Sequence, residues 1–198
     1  MNLRTLAPAA LAAATLLAGC SGTKTTGLWK DPTRQVVFKK MLVAVMGTDM
    51  SARRNAEEAM VRRLPPGTAI ASYQVVPAGE ERDIEKLKVI LKEAAFDGVL
   101  VLRLMGVTQE LTTTTMPTTY NVYGYWGYTA TAVYAQPALD IRKIARIEAK
   151  LFDVAEEKPI FAMTTETVDP EKRQVLIDEV TEQVVNQLGQ GGYLGKKK

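Results

Sequence analysis

Met41-Leu42-Val43-Ala44-Val45-Met46 is an unbroken apolar run of six residues. Its length suits a strand rather than a helix. Its lack of alternation means both faces are buried, as in a central strand covered by helices on either side. Val36-Val37-Phe38 leads into it and reads as part of the same first strand. Asp49 or Ser51 then caps a helix to Leu64, with Ala52, Ala56, Met60 and Leu64 on one face, and Pro65-Pro66-Gly67 stops it. Thr68–Val76 reads as a second strand. A second helix over about Glu80–Ala95 would bury Ile84, Leu87, Val89 or Ile90, Leu91 and Ala94. Glu81, Glu85, Lys88 and Lys92 fall on its wet side at helical pairing distances. Asp97-Gly98 turns the chain into Val99-Leu100-Val101-Leu102, a second central strand.

Farther on the period changes. Ala145, Ile147, Ala149 and Leu151 alternate with Arg146, Glu148 and Lys150, the mark of a half-buried antiparallel strand. Glu156-Glu157-Lys158 turns it into Ile160–Val168, giving a hairpin. Asp169 as cap and Pro170 at the first helical position open a last helix. Its stripe is Leu176, Val180, Val184 and Leu188, and Gly189 ends it. Residues 190–198, rich in Gly and Lys, read as a flexible tail, with Lys196-Lys197-Lys198 solvated. The expected fold is α/β with an α+β-like second half. It is a single mixed sheet in the order βαβαβ, then a long aromatic hairpin or loop, a ββ hairpin and a C-terminal helix. One α/β domain would span residues 36–189.

A Thr/Tyr-rich insert, residues 108–138, interrupts this pattern. No charged residue occurs from Leu111 to Leu139, and five of the seven tyrosines lie there. Thr112–Thr115, Thr118 and Thr119 fill its first half; Tyr120, Tyr123, Tyr125, Trp126, Tyr128 and Tyr134 fill its second. Both residue types favour strands, so the segment reads as a hairpin projecting from the sheet or a long ordered loop. Three roles fit it: tyrosines covering a sheet face, a recognition surface built from Tyr and Trp, or a membrane-inserted hairpin of an oligomeric barrel. The threonines on both faces make the last a polar candidate.

The amino terminus has the layout of a secretory signal: a basic start at Met1–Arg4, an apolar stretch Leu6–Leu17, then Ala18-Gly19 before Cys20. Leu17-Ala18-Gly19-Cys20 resembles a bacterial lipobox. The resemblance implies cleavage after residue 19, a diacylglyceryl thioether on Cys20 and acylation of the new amine. One acyl chain binds a bilayer marginally and two or more hold it firmly. Residues 20–35 would then be the acylated cysteine and a tether, with Ser21–Gly27 flexible and Trp29 packed on the domain edge.

Composition excludes more than it suggests. Cys20 is the only cysteine and histidine is absent. The chain therefore lacks a histidine base, a histidine metal ligand and, once Cys20 is acylated, a thiol nucleophile or disulfide. The net charge of +3 gives no case for a nucleic-acid partner. No cofactor or metal is expected. Gly47-Thr48-Asp49-Met50-Ser51, with Arg53-Arg54 behind it, lies where a strand hands over to a helix, but one glycine makes no phosphate loop. It reads as a cap with a solvated basic face. Asp49, Asp97 and Glu110 are carboxylates that could lie near one sheet edge, without the spacing of a calcium loop. Ser51 and Ser72 lack the Gly-x-Ser-x-Gly setting of a nucleophile. The chain is read as no enzyme.

With these residues in view, the chain resembles a group of proteobacterial lipoproteins of unknown function. The resemblance is carried by the lipobox, Leu28-Trp29-Lys30-Asp31-Pro32, Lys40–Val45, Ser72-Tyr73, Phe96-Asp97-Gly98-Val99-Leu100, the Tyr-rich insert and Thr164–Pro170. Where similar lipoproteins often place a Trp after the last hairpin turn, this chain has Phe161. The element order also resembles the small α/β domain of the TolB amino terminus and of curli-channel and penicillin-binding-protein-activator lipoproteins. The resemblance implies a non-enzymatic interaction or assembly module, lipid-anchored on the periplasmic face of the outer membrane, with Ser21 resembling an outer-membrane sorting residue. An envelope protein or a second copy would be its partner. The alternatives are a subunit of an oligomeric outer-membrane pore and a carboxylate-based envelope hydrolase.

Overall fold

The structure, a computed structural model, describes residues 22–80, 83–113, 139–170 and 172–195. Its elements are β1 (Thr23–Lys30), β2 (Met41–Met46), α1 (Met50–Arg63), β3 (Ala69–Ala71), α2 (Ile84–Glu93), β4 (Gly98–Thr113), β5 (Leu139–Asp153), β6 (Lys158–Val168) and α3 (Arg173–Gln190). They form one mixed six-stranded sheet in the order β1-β6-β5-β4-β2-β3. β2 runs parallel to β3 and β4, and the remaining pairs are antiparallel. The expected fold class holds: a mixed sheet, the β5–β6 hairpin and a C-terminal helix.

Strand alternation divides the core. Met41, Val43, Leu100, Leu102, Ala149, Leu151, Phe161 and Met163 meet Met60 and Leu64 of α1 and Val180, Val184 and Leu188 of α3. Leu42 faces the other way, where Val76, Phe96 and the partly buried Leu87 and Leu91 of α2 cover it. The rest of that second face carries charge, because no helix among the described residues covers it. Arg103 of β4 pairs with Glu148 of β5 at 2.6 Å, and Arg146 of β5 with Glu166 of β6 at 2.7 Å. Lys24 of β1 reaches Glu166 at 3.5 Å, and Lys150 reaches Glu148 at 2.9 Å. These pairs cross four strands as one ladder. Hydrogen bonds from Lys150 and Arg103 hold the Glu148 carboxyl below the ordinary range, and Arg146 does the same for Glu166.

Several local expectations are corrected. Ser21–Gly27 was read as a flexible tether, yet residues 23–30 are β1, an edge strand paired with β6. Thr23 is buried beneath α3, so polar threonines do the work that apolar alternation would have signalled. Val36-Val37-Phe38 is no strand; Phe38 turns into the core and makes a single bridge to Leu194. The second strand is three residues, because Ser72–Gln74 coils into a 3-10 turn. α2 starts at Ile84 on an Asp83 cap; Ile84, expected inside, is exposed, and of the alternatives Val89 and Ile90 it is Ile90 that is partly buried. α3 starts at Arg173 rather than Pro170. Asp169 adopts φ 46 and its carboxylate accepts the Lys143 N–H, so it closes the sheet rather than capping the helix. The helix runs past Gly189 and ends with Gly191 as its cap. The expected flexible tail is seated as far as Leu194: the Tyr193 hydroxyl donates to the Ile160 carbonyl and its ring meets Phe161 edge-on.

Candidate functional site

The site is the end of the sheet at which β2 ends and β1 begins. One row of residues crosses four strands there: Thr23 pairs with Thr167, Thr167 with Ala145, and Ala145 with Val107. Beneath α3 this row is bolted by polar groups. The Thr23 hydroxyl donates to Glu179 Oε2 and lies 2.6 Å from the Thr167 hydroxyl, while the Gly22 N–H donates to Glu179 Oε1 at 3.3 Å. The first described residues are therefore fixed to α3, and nothing in residues 22–30 acts as a slack linker.

Beyond the row the sheet narrows to a two-stranded ribbon. β2 follows β4 only to the Met46–Arg103 pair, whereas β4 continues paired with β5 out to Thr113 and Leu139. A bulge between Leu104 and Gly106 opens the ribbon and leaves Met105 as the extra residue; such bulges bend a strand and increase its twist. The flanks of the expected hairpin or ordered loop are paired strands, and residues 114–138 lie outside the described residues. Cys20 and the candidate contact residues Tyr120, Tyr123, Tyr125, Trp126, Tyr128 and Tyr134 lie outside the described residues.

At the root of the ribbon a cleft of about 350 Å³ opens between the starts of α1 and α3. Val45, Leu102, Leu104, Ile147, Leu176 and Val180 make its walls apolar. Asp49 and Arg173 bridge its mouth at 2.7 Å. Asp49 also caps α1, accepting the Ser51 and Ala52 N–H groups at 3.0 Å each. The Ala52 N–H, with Arg173, holds its carboxyl below the ordinary range. The Gly47–Ser51 turn is thus a cap, as expected.

Arg53, expected on a solvated face, is instead buried in the wall of the cleft, and only Arg54 stays outside, over the Tyr73 ring. Arg53 Nε donates to Glu57 Oε1 at 3.1 Å, and its guanidinium reaches the Ser72 hydroxyl at 3.0 Å. Glu57, fully buried, also accepts from Ser72 Oγ and from the Val45 and Tyr73 N–H groups. This cluster joins α1, β2 and the turn after β3. It satisfies each group that it buries, as buried charge requires. The i,i+4 spacing of Arg53 and Glu57 was the sequence signal for it.

The three carboxylates considered for chemistry are not brought together. Asp49 follows β2 and Asp97 precedes β4, so parallel strands put them at opposite ends of the sheet; Glu110 lies out on the ribbon. Asp97 accepts the Lys39 and Lys40 N–H groups at 2.7 and 2.9 Å. A second, broader hollow brings Asp97 and Asp153 near Phe96 and Phe152. Asp153 there accepts the Ala155 and Glu156 N–H groups and pairs with Arg34. Both carboxylates are committed to holding turns. Among the described residues no group of acids could hold a metal, and no helix is long and apolar enough to cross a membrane.

No family model matches the chain, and none of the curated proteins does. Among solved structures it is similar to PelC of Paraburkholderia phytofirmans, a dodecamer, at 12% identity and a TM-score of 0.48, over 88% of this chain and 99% of that one. It is also similar to lipoprotein GNA1162 of Neisseria meningitidis, at 13% identity and a TM-score of 0.39, over 76% and 98%. A minor lipoprotein of Acinetobacter baumannii matches at 8% identity and a TM-score of 0.34, over 79% and 97%. At these scores no residue's role passes from them to this chain.

Proposed function

We propose that the protein is a non-enzymatic, lipid-anchored envelope lipoprotein. It is acylated on Cys20, held on the periplasmic face of the outer membrane, and works as an interaction or assembly module through the uncharged segment containing Tyr120–Tyr134. The observation that carries the reading is the lone cysteine directly after Leu17-Ala18-Gly19, three residues before the start of a firmly docked edge strand. The polar clusters support the same reading. Arg53–Glu57–Ser72, Asp97 and Asp153 are each consumed by the fold, which leaves carboxylate hydrolysis without a free acid–base pair in either hollow.

Mass spectrometry of the amino-terminal peptide tests the anchor. A triacylated or diacylated Cys20 is expected, and Cys20→Ser should release the protein from the membrane fraction; an unmodified Cys20 in membrane-bound protein would refute it. A photo-crosslinking residue at Tyr125 or Trp126 in living cells tests the contact surface. One discrete protein adduct is the expected result, and no adduct from folded, acylated protein returns the tyrosines to a structural role.

Self-association is the second reading, favoured by a specific feature of the backbone. Among the described residues, β4 pairs on one side only from Leu104 to Thr113, and an open strand edge is a template for another strand. A ladder of self-adducts from the same crosslinker would select it and bring the oligomeric pore forward.

A further inference from the structure

We infer that the ribbon end of the sheet is a membrane-docking face, which holds the domain close against the bilayer surface by apolar contact. The inference rests on acylation of Cys20 as proposed above, and adds to it an orientation and a second point of attachment. Three observations carry it.

The first is the shortness of the arm. Gly22 and Thr23 are fixed to Glu179 and Thr167. Three extended residues, from Thr23 back to Cys20, span at most about 10 Å. A bilayer holding the acyl chains therefore lies within that distance of Thr23, the first residue of the row Thr23, Thr167, Ala145 and Val107.

The second is the reach of the ribbon. Past the same row β4 and β5 stay paired through Thr113 and Leu139. Six residues of strand advance about 20 Å, farther than the arm allows the membrane to recede. A ribbon that points the way the arm does meets the bilayer with its outer part or bends along it. The last residues of the ribbon, 111–113 and Leu139, are uncharged, while Glu110, Asp140, Arg142 and Lys143 lie nearer its root.

The third is where apolar side chains are left in water. Met46 is 49% exposed, Met50 41%, Leu104 53%, Met105 53%, Val107 55% and Val175 44%. They come from the end of β2, the starts of α1 and α3, and the root of the ribbon, and so rim the mouth of the apolar cleft. Such a rim on the end that also bears the anchor is what an interfacial surface requires. Arg173 pairs with Asp49 and Lys24 with Glu166, while Arg142, Lys143 and Lys172 also stand exposed at this end. Attachment is by apolar insertion, with a salt-screened contribution from these bases on an anionic surface.

The single cysteine makes the test clean, since acylation removes the only native thiol. Met50→Cys, Val107→Cys and, at the opposite end, Val37→Cys are each placed in the full chain. The purified acylated proteins are labelled with an environment-sensitive fluorophore and reconstituted into phosphatidylethanolamine/phosphatidylglycerol vesicles containing a nitroxide lipid quencher. Labels at positions 50 and 107 should be quenched several-fold more than the label at 37, and the difference should persist at high salt. Three alike, unquenched labels on protein whose Cys20 carries its lipid by mass would overturn docking alone. A blue-shifted but unquenched label at position 107 would mean that a second copy covers the rim, and would also overturn it. An unacylated Cys20 would overturn the anchor, and the docking with it.

Discussion

At the end of the sheet where β2 and β4 begin, large side chains are drawn inward: Phe38 and Phe161 are buried, and Tyr193 closes over them from beyond the last helix. At the end where β2 stops and the ribbon departs, six large apolar residues stand in solvent around an open cleft. The other exposed apolar side chains are dispersed, with Leu28 and Trp29 on the edge strand, Val37 near the carboxyl-terminal seal, and Ile84 and Val89 on α2. Both ends draw on the same kinds of residue, so composition does not separate them. What differs is covering chain: one end has residues 191–194 folded back as a plug, whereas the other has helices that start level with the row and cover nothing past it. Among the described residues, one end is sealed and the other is open and apolar, and the open end is the one at which β1 begins.

The sharpest way to break this contrast is to attack the wall of the cleft from inside. Replacing Glu57 by Ala strands the buried Arg53 guanidinium and the Val45 and Tyr73 N–H groups. Removing one partner of a buried pair costs about 3–5 kcal/mol, so chemical denaturation should show one of the largest losses in the molecule. Glu57→Gln, which keeps acceptors, should lose less. Equal effects of the two would mean that charge is not what the cluster supplies.

At the sealed end Phe161→Ala should cost about 3–5 kcal/mol by leaving a cavity under Tyr193. Gly98→Ala tests the same seal by overfilling it. A Cβ there would lie 2.5 Å from the Phe38 ring and 3.1 Å from Met41 Cγ, and overpacking of this kind costs about 1–3 kcal/mol. By contrast, Leu104→Ser and Val107→Ser at the open end should leave stability in solution within about 0.5 kcal/mol. A large loss from either would show that the rim is core rather than free surface.

The central strands were legible because burial on both faces leaves an unbroken apolar run, and the β5 alternation because one of its faces carries the charged ladder. The last helix showed its stripe but not its start, since Asp169 was wanted by Lys143 in the sheet. β1 was illegible for a physical reason: Thr23 is held by hydrogen bonds to Glu179 and Thr167 rather than by hydrophobic burial. A polar strand beside the proposed lipid anchor looks like a linker in composition. The seal at Tyr193 was hidden likewise, inside a Gly- and Lys-rich tail. As for the site, residue types pointed to Cys20 and the tyrosines, whereas the apolar rim is visible only once register aligns Thr23 with Val107. Met46, Met50 and Val175 are ordinary apolar residues in sequence, and only folding leaves them together at one end.

The smallest effect concerns the charged ladder, which ties β1 to the rest of the sheet and so helps to fix the arm on which the orientation depends. Glu148 and Glu166 titrate below the ordinary glutamate value of 4.5 because Lys150, Arg103 and Arg146 donate to their ionised forms. A carboxyl whose folded value is depressed stabilises the fold above its unfolded value, and that contribution fades as pH falls through the folded one. Thermal stability should therefore be flat from neutrality down to about pH 5 and decline modestly below 4.5, with a shallower decline in Glu148→Gln and Glu166→Gln. High salt should weaken the contribution of these partly exposed pairs at neutral pH without flattening the decline that other carboxyls cause. If Glu166→Gln also loosens β1, hydrogen exchange at residues 23–30 will rise selectively. Unchanged exchange there would leave the arm held by Glu179 and the two threonines alone.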